Sequence, residues 1–272
     1  MPGQQVNPLL LVKFVLWMAV VVVSAALLRR RKVTPRVRLA FLAGGVLLFG
    51  FIFGLLVRGD INPDPVFSLR NLLASIIVQR RIMIPVAAML VILLAMVWIS
   101  NKSICGWGCQ LGLLQDLLHR VQLPKWKPPF WLANGVRIGA FVALIAGLAL
   151  WGLDWIGVVN PFAIFQFNLT VWIGLFSAVL LAASLFVYRP WCQFLCPFGL
   201  LGWIVEQGSL MRPRINPQAC KECKLCVRAC PTHAMADYYE GKRLHADCFA
   251  CGSCIAACPQ EDALSWRTRS GQ

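Results

Sequence analysis

Long apolar runs separated by short polar segments fill the first three quarters of the chain. Five of these runs reach or approach the length of a helix that crosses about 30 Å of hydrocarbon at 1.5 Å per residue. They cover residues 8–28, 39–57, 82–100, 131–153 and 170–188. The pattern predicts an all-α transmembrane bundle of about five helices within residues 1–212.

A sixth apolar run, residues 67–78, has helical spacing but is too short to span a membrane. It lies between the second and third predicted spans. A helix at the membrane interface is the simpler interpretation of such a segment. A helix that lines a quinone site is the alternative.

Basic residues are distributed unevenly among the loops. The loops after the first and third runs carry Arg29, Arg30, Arg31, Lys32, Arg36 and Arg38, and Lys102, Arg120, Lys125 and Lys127. Short loops rich in Lys and Arg stay in the cytoplasm. We therefore expect a multi-pass protein of the bacterial inner membrane, with its N-terminus outside and its C-terminal tail inside. The first outer loop fits this topology less well, since it carries Arg58, Arg70, Arg80 and Arg81.

The composition agrees with a membrane protein. Of the 272 residues, 59% are hydrophobic and 14% are charged, whereas about a quarter of the residues of a soluble domain are charged. The mean hydropathy is +0.69. A net charge of +15 could suggest a nucleic-acid binder. The excess lies beside apolar runs, however, so we expect membrane lipid and not nucleic acid as the partner of this surface.

All twelve cysteines lie between Cys105 and Cys258, in four tight groups. Disulfide scaffolds belong to small secreted domains, whereas close groups of cysteines inside the cell are typical of metal ligands. The last eight form two copies of C-x2-C-x2-C-x3-C-P, 28 residues apart. The copies contain Cys220, Cys223, Cys226 and Cys230, then Cys248, Cys251, Cys254 and Cys258.

The duplicated motif predicts an α+β bacterial-type ferredoxin domain with two [4Fe–4S] clusters in residues 213–272. In such domains three cysteines of a motif wrap one cluster and the fourth reaches the other. The predicted ligand sets are therefore Cys220, Cys223, Cys226 and Cys258 for one cluster, and Cys248, Cys251, Cys254 and Cys230 for the other. Zinc is the alternative, but it usually takes four ligands from two spaced pairs.

Other polar residues of the tail are expected on its surface. The eight thiolates leave no ligand position for His233 and His245, so exposed loop positions are expected for both. The tail also has a basic face, made of Lys221, Lys224, Arg228, Lys242 and Arg243. This face either docks an acidic redox partner or is a solvated surface.

Two further cysteine pairs follow the third and fifth apolar runs. They are Cys105 and Cys109, then Cys192 and Cys196, each spaced C-x3-C; we call them hook 1 and hook 2. Two thiols at i and i+4 of a helix share one face. Two hooks brought together would supply the four thiolates of a further cluster. A redox-active dithiol and inert packing are the alternatives.

Three titratable residues follow the hooks: Asp116 and His119 after hook 1, and Glu206 after hook 2. Oxidation of a quinol releases two protons with its two electrons, so a quinol site needs a base close to an electron acceptor. These residues are the candidate proton acceptors. An interfacial position explains Asp116 and His119 equally well.

Apolar spans, two hooks at their ends and a duplicated ferredoxin motif together resemble the NapH-type family. These are membrane-bound ferredoxin-like quinol dehydrogenase subunits of periplasmic nitrate reduction, with NosR-like and MauN-like relatives. The resemblance covers the third apolar run to the end of the chain. It implies oxidation of menaquinol or ubiquinol and delivery of electrons through clusters to a partner redox protein. The chain departs from the pattern at Gln110, where the family usually has Pro, and in five predicted spans where four are typical.

A second function is compatible with the same cysteines. An assembly factor would use its clusters to reduce a metal or a thiol while a membrane metalloenzyme matures. Deletion would then abolish the mature metalloenzyme and leave quinol turnover unaffected, which distinguishes the two hypotheses.

Overall fold

The computed structural model describes residues 8–56 and 64–268, with side chains from residue 11 onward. Three parts of the sequence interpretation lie outside the described residues. They are the outer N-terminus, the start of the outer loop that contains Arg58, and the last four residues of the predicted ferredoxin domain.

The membrane part of the chain is helical. Its helices are α1 (Pro8–Arg29), α2 (Pro35–Gly45), α3 (Phe53–Leu56), α4 (Pro65–Ile77), α5 (Ile84–Ser100), α6 (Gln110–His119), α7 (Phe130–Trp151), α8 (Trp155–Val159), α9 (Val171–Ser184) and α10 (Pro197–Glu206). A wider π-helical segment, Val46–Ile52, joins α2 to α3 in one continuous rod. A 3-10 helix, Pro161–Gln166, lies between α8 and α9.

Among the described residues, three helical segments are long and apolar enough to cross a membrane: Leu11–Arg29, Pro35–Leu56 and Phe130–Trp151. They correspond to the first, second and fourth predicted spans. The third and fifth predicted spans form shorter helices, α5 with 17 residues and α9 with 14. α9 ends before Arg189, whose left-handed backbone (φ 49°) turns the chain into hook 2. The helical membrane part is as predicted, but residues 8–56 and 64–268 contain three helices of spanning length and not five.

The outer surface of the long helices is apolar. Val15 in α1 is 67% exposed, and Trp131 and Val142 in α7 are 75% and 56% exposed. Soluble proteins rarely expose apolar surface over a continuous area of this kind. Contact with lipid therefore accounts for these faces of α1 and α7.

α4 corresponds to the short apolar run that we expected at the membrane interface. Asp64 caps its first turn, because Asp64 Oδ1 accepts a hydrogen bond from Phe67 N at 2.7 Å. Ser68 and Leu69 are buried, and the helix packs against α5, α7 and α10. One face of α4 is therefore part of the bundle interior.

The C-terminal unit is a small α+β fold. Its elements are β1 (Met211–Ile215), α11 (Leu225–Ala229), α12 (Ala234–Tyr239), α13 (Ser253–Ala257) and β2 (Leu264–Thr268). The two strands pair antiparallel, with Met211 opposite Thr268 and Ile215 opposite Leu264. β1 begins two residues before the predicted domain boundary at residue 213.

The ferredoxin unit packs directly on the membrane part. Its core includes Leu28 and Val33, from the end of α1 and the loop that follows. Trp107, inside hook 1, is fully buried, and its Nε1 donates a hydrogen bond to Ala250 O at 2.8 Å. Gly106 lies so close to the carbonyl of Phe249 that a Cβ would collide with it. Hook 1 and the second ferredoxin motif are therefore in direct contact.

Candidate metal centres

The two ferredoxin motifs form loops of the same backbone shape. The φ angle is 54° at both Glu222 and Lys224 in the first motif, and 50° and 81° at the equivalent Ala250 and Gly252 in the second. Few residues other than glycine adopt this left-handed conformation. Each curled loop leads into a short helix, α11 or α13, and the fourth cysteine follows that helix directly. The sequence duplication is therefore also a duplication of backbone geometry.

Each of two cavities is lined by four cysteines, three from one motif and one from the other. Cavity A is lined by Cys220, Cys223, Cys226 and Cys258. Cavity B is lined by Cys230, Cys248, Cys251 and Cys254. This grouping is the one that the motif spacing predicts. Cluster binding by these residues remains a prediction.

The donor sets of both cavities fit cubane clusters. All eight cysteines are free thiols, and four thiolates are the set that a [4Fe–4S] cluster requires. Within residues 8–56 and 64–268, no three Cys, His, Asp or Glu side chains are placed to hold one metal ion. Donors that surround a cavity suit a cluster better than a single zinc ion, which needs its ligands to converge on a point.

The two cavities differ in their surroundings. Cavity A includes Cys223, which is exposed to solvent. Cavity B is also lined by Tyr188 and Phe249, whose ring centroids are 5.9 Å apart. Tyr188 belongs to the membrane part of the chain, just after α9. Cavity B therefore faces the bundle, while cavity A is close to solvent.

The hooks are single π-helical turns, Ile104–Gly108 and Trp191–Leu195. In both, the N–H of the second cysteine donates to the carbonyl five residues earlier: Cys109 N to Ile104 O at 2.9 Å and Cys196 N to Trp191 O at 2.8 Å. The predicted α-helical spacing is therefore wrong, because each second cysteine lies in extended backbone just after the turn. Wide turns of this kind are frequent at functional sites.

A helix begins directly after the second cysteine of each hook. Cys109 is the N-cap residue of α6, and Cys196 is the N-cap residue of α10. Gly199 N donates a hydrogen bond to the Sγ of Cys196 at 3.2 Å. The free N–H groups and the dipole at a helix N-terminus favour negative charge. Burial raises the pKa of both thiols, and the backbone N–H groups at the two helix N-termini oppose that rise.

The fold brings the four hook cysteines together in its interior. Each is 7% or 8% exposed, and they are electrostatic neighbours across the two hooks. Burial raises the pKa of the Cys192 thiol to about 12, an effect that nearby Cys109 adds to and Arg189 opposes. Four buried thiols of this kind are shielded from soluble disulfide-exchange partners.

Each hook is held by one buried arginine. Arg189 Nη1 donates a hydrogen bond to Cys105 O at 2.6 Å, and Arg137 Nη1 donates to Cys192 O at 3.2 Å. Both arginines are 0% exposed. In each case the carbonyl that accepts the bond belongs to the first cysteine of the hook. The two hooks therefore have equivalent supports.

A glycine three residues after each hook leaves space for this support. A Cβ on Gly112 would lie 3.0 Å from both Cys105 O and Arg189 Nη1. A Cβ on Gly199 would lie 2.8 Å from Cys192 O and 3.5 Å from an Arg137 nitrogen. Our reading of the sequence missed both arginines. The extended pattern C-x3-C-x2-G, present in both hooks, is the signal that indicates a close neighbour there.

Asp116 lies in a buried ionic network. Its Oδ2 accepts hydrogen bonds from Arg38 Nη2 at 2.7 Å, Arg189 Nη2 at 3.0 Å and Tyr188 Oη at 3.0 Å. Burial by itself raises the pKa of Asp116, but Arg38 and Arg189 outweigh it and hold that pKa well below its usual range. The carboxylate is thus ionised and fully engaged.

Glu206 belongs to a second buried network. Its Oε1 accepts a hydrogen bond from Cys248 N at 3.1 Å, and its Oε2 lies 3.4 Å from Lys102 Nζ without hydrogen-bond geometry. Lys102 also pairs with Asp247, which in turn is 3.1 Å from Arg137 Nη2. Burial raises the pKa of Glu206, and Lys102 opposes this only in part.

His119 lies at the end of α6 and is half-buried. Its Nδ1 donates a hydrogen bond to Ser184 O at 3.3 Å, and its ring contacts that of Tyr188. Burial, followed by the charge of Lys125, lowers the pKa of His119. His119 and Asp116 therefore meet at Tyr188, whereas Glu206 lies in the other network. A role in proton uptake stays a prediction for all three.

The expectation of exposed loop histidines is wrong for His245, which is 1% exposed. Its carbonyl accepts a hydrogen bond from Trp203 Nε1 at 2.8 Å, and its N–H donates to Gln207 Oε1 at 3.1 Å. Residues in and next to α10 therefore cover it. His233 is half-buried. Because the eight thiolates already account for both clusters, the sequence argued against His233 and His245 as ligands. That argument carried no information on how the two side chains pack.

Comparison with known families identifies both kinds of cysteine motif. Residues 212–259 match the 4Fe–4S dicluster domain family. Residues 82–130 and 169–216 both match the 4Fe–4S binding domain family. The second family thus matches the chain twice, once around each hook, in agreement with an internal duplication.

Several curated proteins are similar to this chain. The putative electron transport protein YccM of Escherichia coli is 26% identical over 74% of this chain and 62% of YccM. The ferredoxin-type protein NapH of Haemophilus influenzae is 27% identical over 73% of this chain and 72% of NapH. The methylamine utilization ferredoxin-type protein MauN of Methylobacillus flagellatus is 27% identical over 77% of both chains. No solved structure matches the chain.

The fold and its cysteine motifs define a membrane-associated iron–sulfur electron-transfer protein with 4Fe–4S-binding domains. Within that class, the chain is similar to the NapH-like ferredoxin-type proteins, the group that its hooks and duplicated motif resemble. The matched region spans about 62% of YccM.

Proposed function

We propose that the chain carries electrons from membrane quinol, through three iron–sulfur sites, to a redox protein that docks on the ferredoxin unit. The observation that supports this most directly is the packing of hook 1 on the second ferredoxin motif, where Trp107 Nε1 donates a hydrogen bond to Ala250 O at 2.8 Å. We further propose that the ferredoxin unit lies on the cytoplasmic side of a bacterial inner membrane, as the basic loops predict.

The protein would hold its carriers in a fixed order. The hook cysteines would hold the site nearest the lipid, the four cysteines of cavity B the next, and those of cavity A the last. [4Fe–4S] clusters supply one-electron transfer when bound. The exposed Cys223 supports cavity A as the place of exit. The adjacent Lys221, Lys224 and Arg228 are exposed as well and would attract an acidic partner.

The hook site would be an iron–sulfur centre held by Cys105, Cys109, Cys192 and Cys196. Three features support this assignment. The four thiols are buried neighbours, and a helix begins at the second cysteine of each hook. The cations Lys102 and Arg189 act electrostatically on Cys105. A cluster ligated by four thiolates is anionic, and both the helix N-termini and the two cations favour negative charge.

Asp116 is better suited to fixing Arg189, which holds hook 1, than to taking up quinol protons. Oxidation of a quinol to a quinone releases two electrons and two protons, and a free base must accept the latter. Asp116 is already bonded to two arginines. His119, half-buried at the end of α6, remains the more available of the three predicted acceptors.

Electron exchange with quinone tests the proposed function. Reduced by dithionite in lipid vesicles, the full chain should be re-oxidised by a menaquinone analogue, as followed by loss of the low-temperature paramagnetic resonance signal. Cys192→Ser removes a hook ligand and leaves the eight ferredoxin cysteines in place. We expect at least tenfold slower re-oxidation of this variant, with normal reduction by dithionite.

Two outcomes would contradict the proposal at different points. Fully loaded wild-type protein that never exchanges electrons with quinone excludes the quinol role and leaves the assembly factor as the better hypothesis. Equal rates for wild type and Cys192→Ser would keep quinone as a partner but remove the hooks from the route.

Iron content tests the hook site separately. Two clusters give about eight irons per chain, and a third cubane gives about twelve. We expect about twelve in anaerobically purified wild type and about eight in a variant with Cys105 and Cys192 both replaced by serine. Acid-labile sulfide should fall in parallel. Eight irons in both proteins would assign the hooks to packing or thiol chemistry.

A further inference from the structure

Arg31 extends from the loop between α1 and α2 into the ferredoxin unit. Its guanidinium donates hydrogen bonds to Cys258 O at 2.9 Å, Gln260 O at 2.8 Å, Leu264 O at 3.0 Å and Ile255 O at 3.4 Å, and also to Glu261 O. These carbonyls lie in α13, in the segment that follows it and at the start of β2. A single cation from the membrane part thus hydrogen-bonds the carbonyls around Cys258, the fourth cysteine of the second motif.

The backbone of Arg31 is unusual for an arginine. Its φ angle is 53°, in the region that favours glycine. Arg31 N bonds Leu28 O at 3.2 Å and Lys32 N bonds Leu27 O at 3.0 Å, which is the helix-ending pattern that normally has glycine at this position. The helix end by itself does not require an arginine. The hydrogen bonds from the side chain to the ferredoxin unit are a separate reason for an arginine at position 31.

Lys127, between α6 and α7, makes the equivalent contact with the other motif. Its Nζ donates hydrogen bonds to Cys230 O at 2.6 Å and Arg228 O at 3.1 Å. Cys230 and Cys258 are the fourth cysteines of the two motifs, 28 residues apart. Each of the two basic loops of the membrane part therefore supplies one cation to one fourth cysteine.

We propose that Arg31 and Lys127 are positioning residues. They fasten the two halves of the ferredoxin unit to the membrane part, and each raises the reduction potential of the cluster whose fourth ligand it contacts. Arg31 acts on cavity A through Cys258, and Lys127 acts on cavity B through Cys230. The inference rests on the ligand sets proposed above but does not depend on quinol as the electron donor.

The physical basis is the charge change at the cluster. Reduction adds one electron, and no bond forms or breaks, so the reduced cluster is more negative than the oxidised one. A cation bonded to the backbone of a ligating cysteine stabilises that form, since net charge and hydrogen bonding set the potential of a cluster. Arg31 is half-buried and Lys127 is exposed. Salt should therefore screen the effect of Lys127 more strongly.

Redox titration of the full chain, with dithionite as reductant and paramagnetic resonance as readout, tests this. Arg31→Gln should lower the reduction constant of the cavity A cluster about tenfold, or about 59 mV for one electron. Lys127→Met should lower the reduction constant of the cavity B cluster, and this decrease should be smaller in high salt than in low salt. Titrations in Cys251→Ala and Cys223→Ala backgrounds assign each signal, because each background retains the cluster of one cavity.

Two matched variants control for loss of surface charge. Arg30→Gln removes the same charge one residue away, at an exposed position. Lys125→Met removes it two residues from Lys127, and Lys125 Nζ donates to Val121 O and Leu185 O rather than to the ferredoxin unit. Both variants should titrate like wild type.

Unchanged potentials in Arg31→Gln and Lys127→Met, or equal shifts in the two controls, would overturn the inference. Should Arg31→Gln lose iron, Arg31→Lys takes its place, since it keeps the charge but loses most of the carbonyl contacts. A smaller drop confined to cavity A then supports the inference, and a wild-type value overturns it. A chain without clusters gives no signal at all, so failure of the ligand assignment is recognised separately.

Discussion

Replacement of Cys230 with alanine should remove the cluster that we propose for cavity B. Cys230 is the fourth cysteine of the first motif, yet it lines cavity B with Cys248, Cys251 and Cys254. Loss of one thiolate of four leaves an iron without its ligand, so about four of the eight ferredoxin irons should be lost. Iron analysis and paramagnetic resonance after dithionite measure the effect.

Double variants decide between crossed and local ligation. Cys230 and Cys251 serve the same cavity, so Cys230→Ala with Cys251→Ala should lose no more iron than either change alone. Cys230→Ala combined with Cys223→Ala should lose both clusters. Non-additive losses of this kind identify residues that act as one unit. Local ligation within each motif would reverse the two results.

Asp116→Asn should destabilise the membrane part strongly. Asp116 is the buried carboxylate shared by Arg38 and Arg189, at 2.7 Å and 3.0 Å. Removal of one member of a buried ion pair leaves its partners uncompensated, which costs about 3–5 kcal/mol. Arg189 also holds hook 1, so iron at the proposed hook site should fall as well. We expect a lower apparent melting temperature in detergent and less folded protein.

Arg120→Gln is the matched control for this change. Arg120 lies 3.8 Å from the same carboxylate, but its side chain is 35% exposed, and a pair of this kind contributes about 0–1 kcal/mol. Asp116→Asn with unchanged stability and slow quinol turnover would instead make Asp116 the proton acceptor.

The pH dependence of stability gives an independent check on Asp116. Its pKa is depressed in the folded state, so its contribution is present above the unfolded value of about 3.9. That contribution is lost as the pH falls towards the folded value. Wild type should therefore lose stability below about pH 4, and Asp116→Asn should lose less over the same range.

Much of the ferredoxin unit was predictable because its information is local. A motif that repeats at a fixed offset specifies two loops of the same shape, and the structure has positive φ angles at equivalent positions, such as Glu222 and Ala250. The grouping of cysteines around the two cavities follows from the same repeat. Apolar length likewise indicated a helical membrane part, although α5 and α9 are shorter than the runs that contain them.

The sequence by itself determined the chemistry of this protein: the number of thiols, their spacing and the apolar segments beside them. Only the tertiary structure decided which groups surround the hooks. Arg137 and Arg189 lie far from their acceptors along the chain, 55 and 84 residues away, and nothing in local spacing reports such a contact. The same holds for Arg31 and Lys127, which sequence reading assigned to topology alone. Burial of a charge depends on what packs around it, and that is a property of the folded chain.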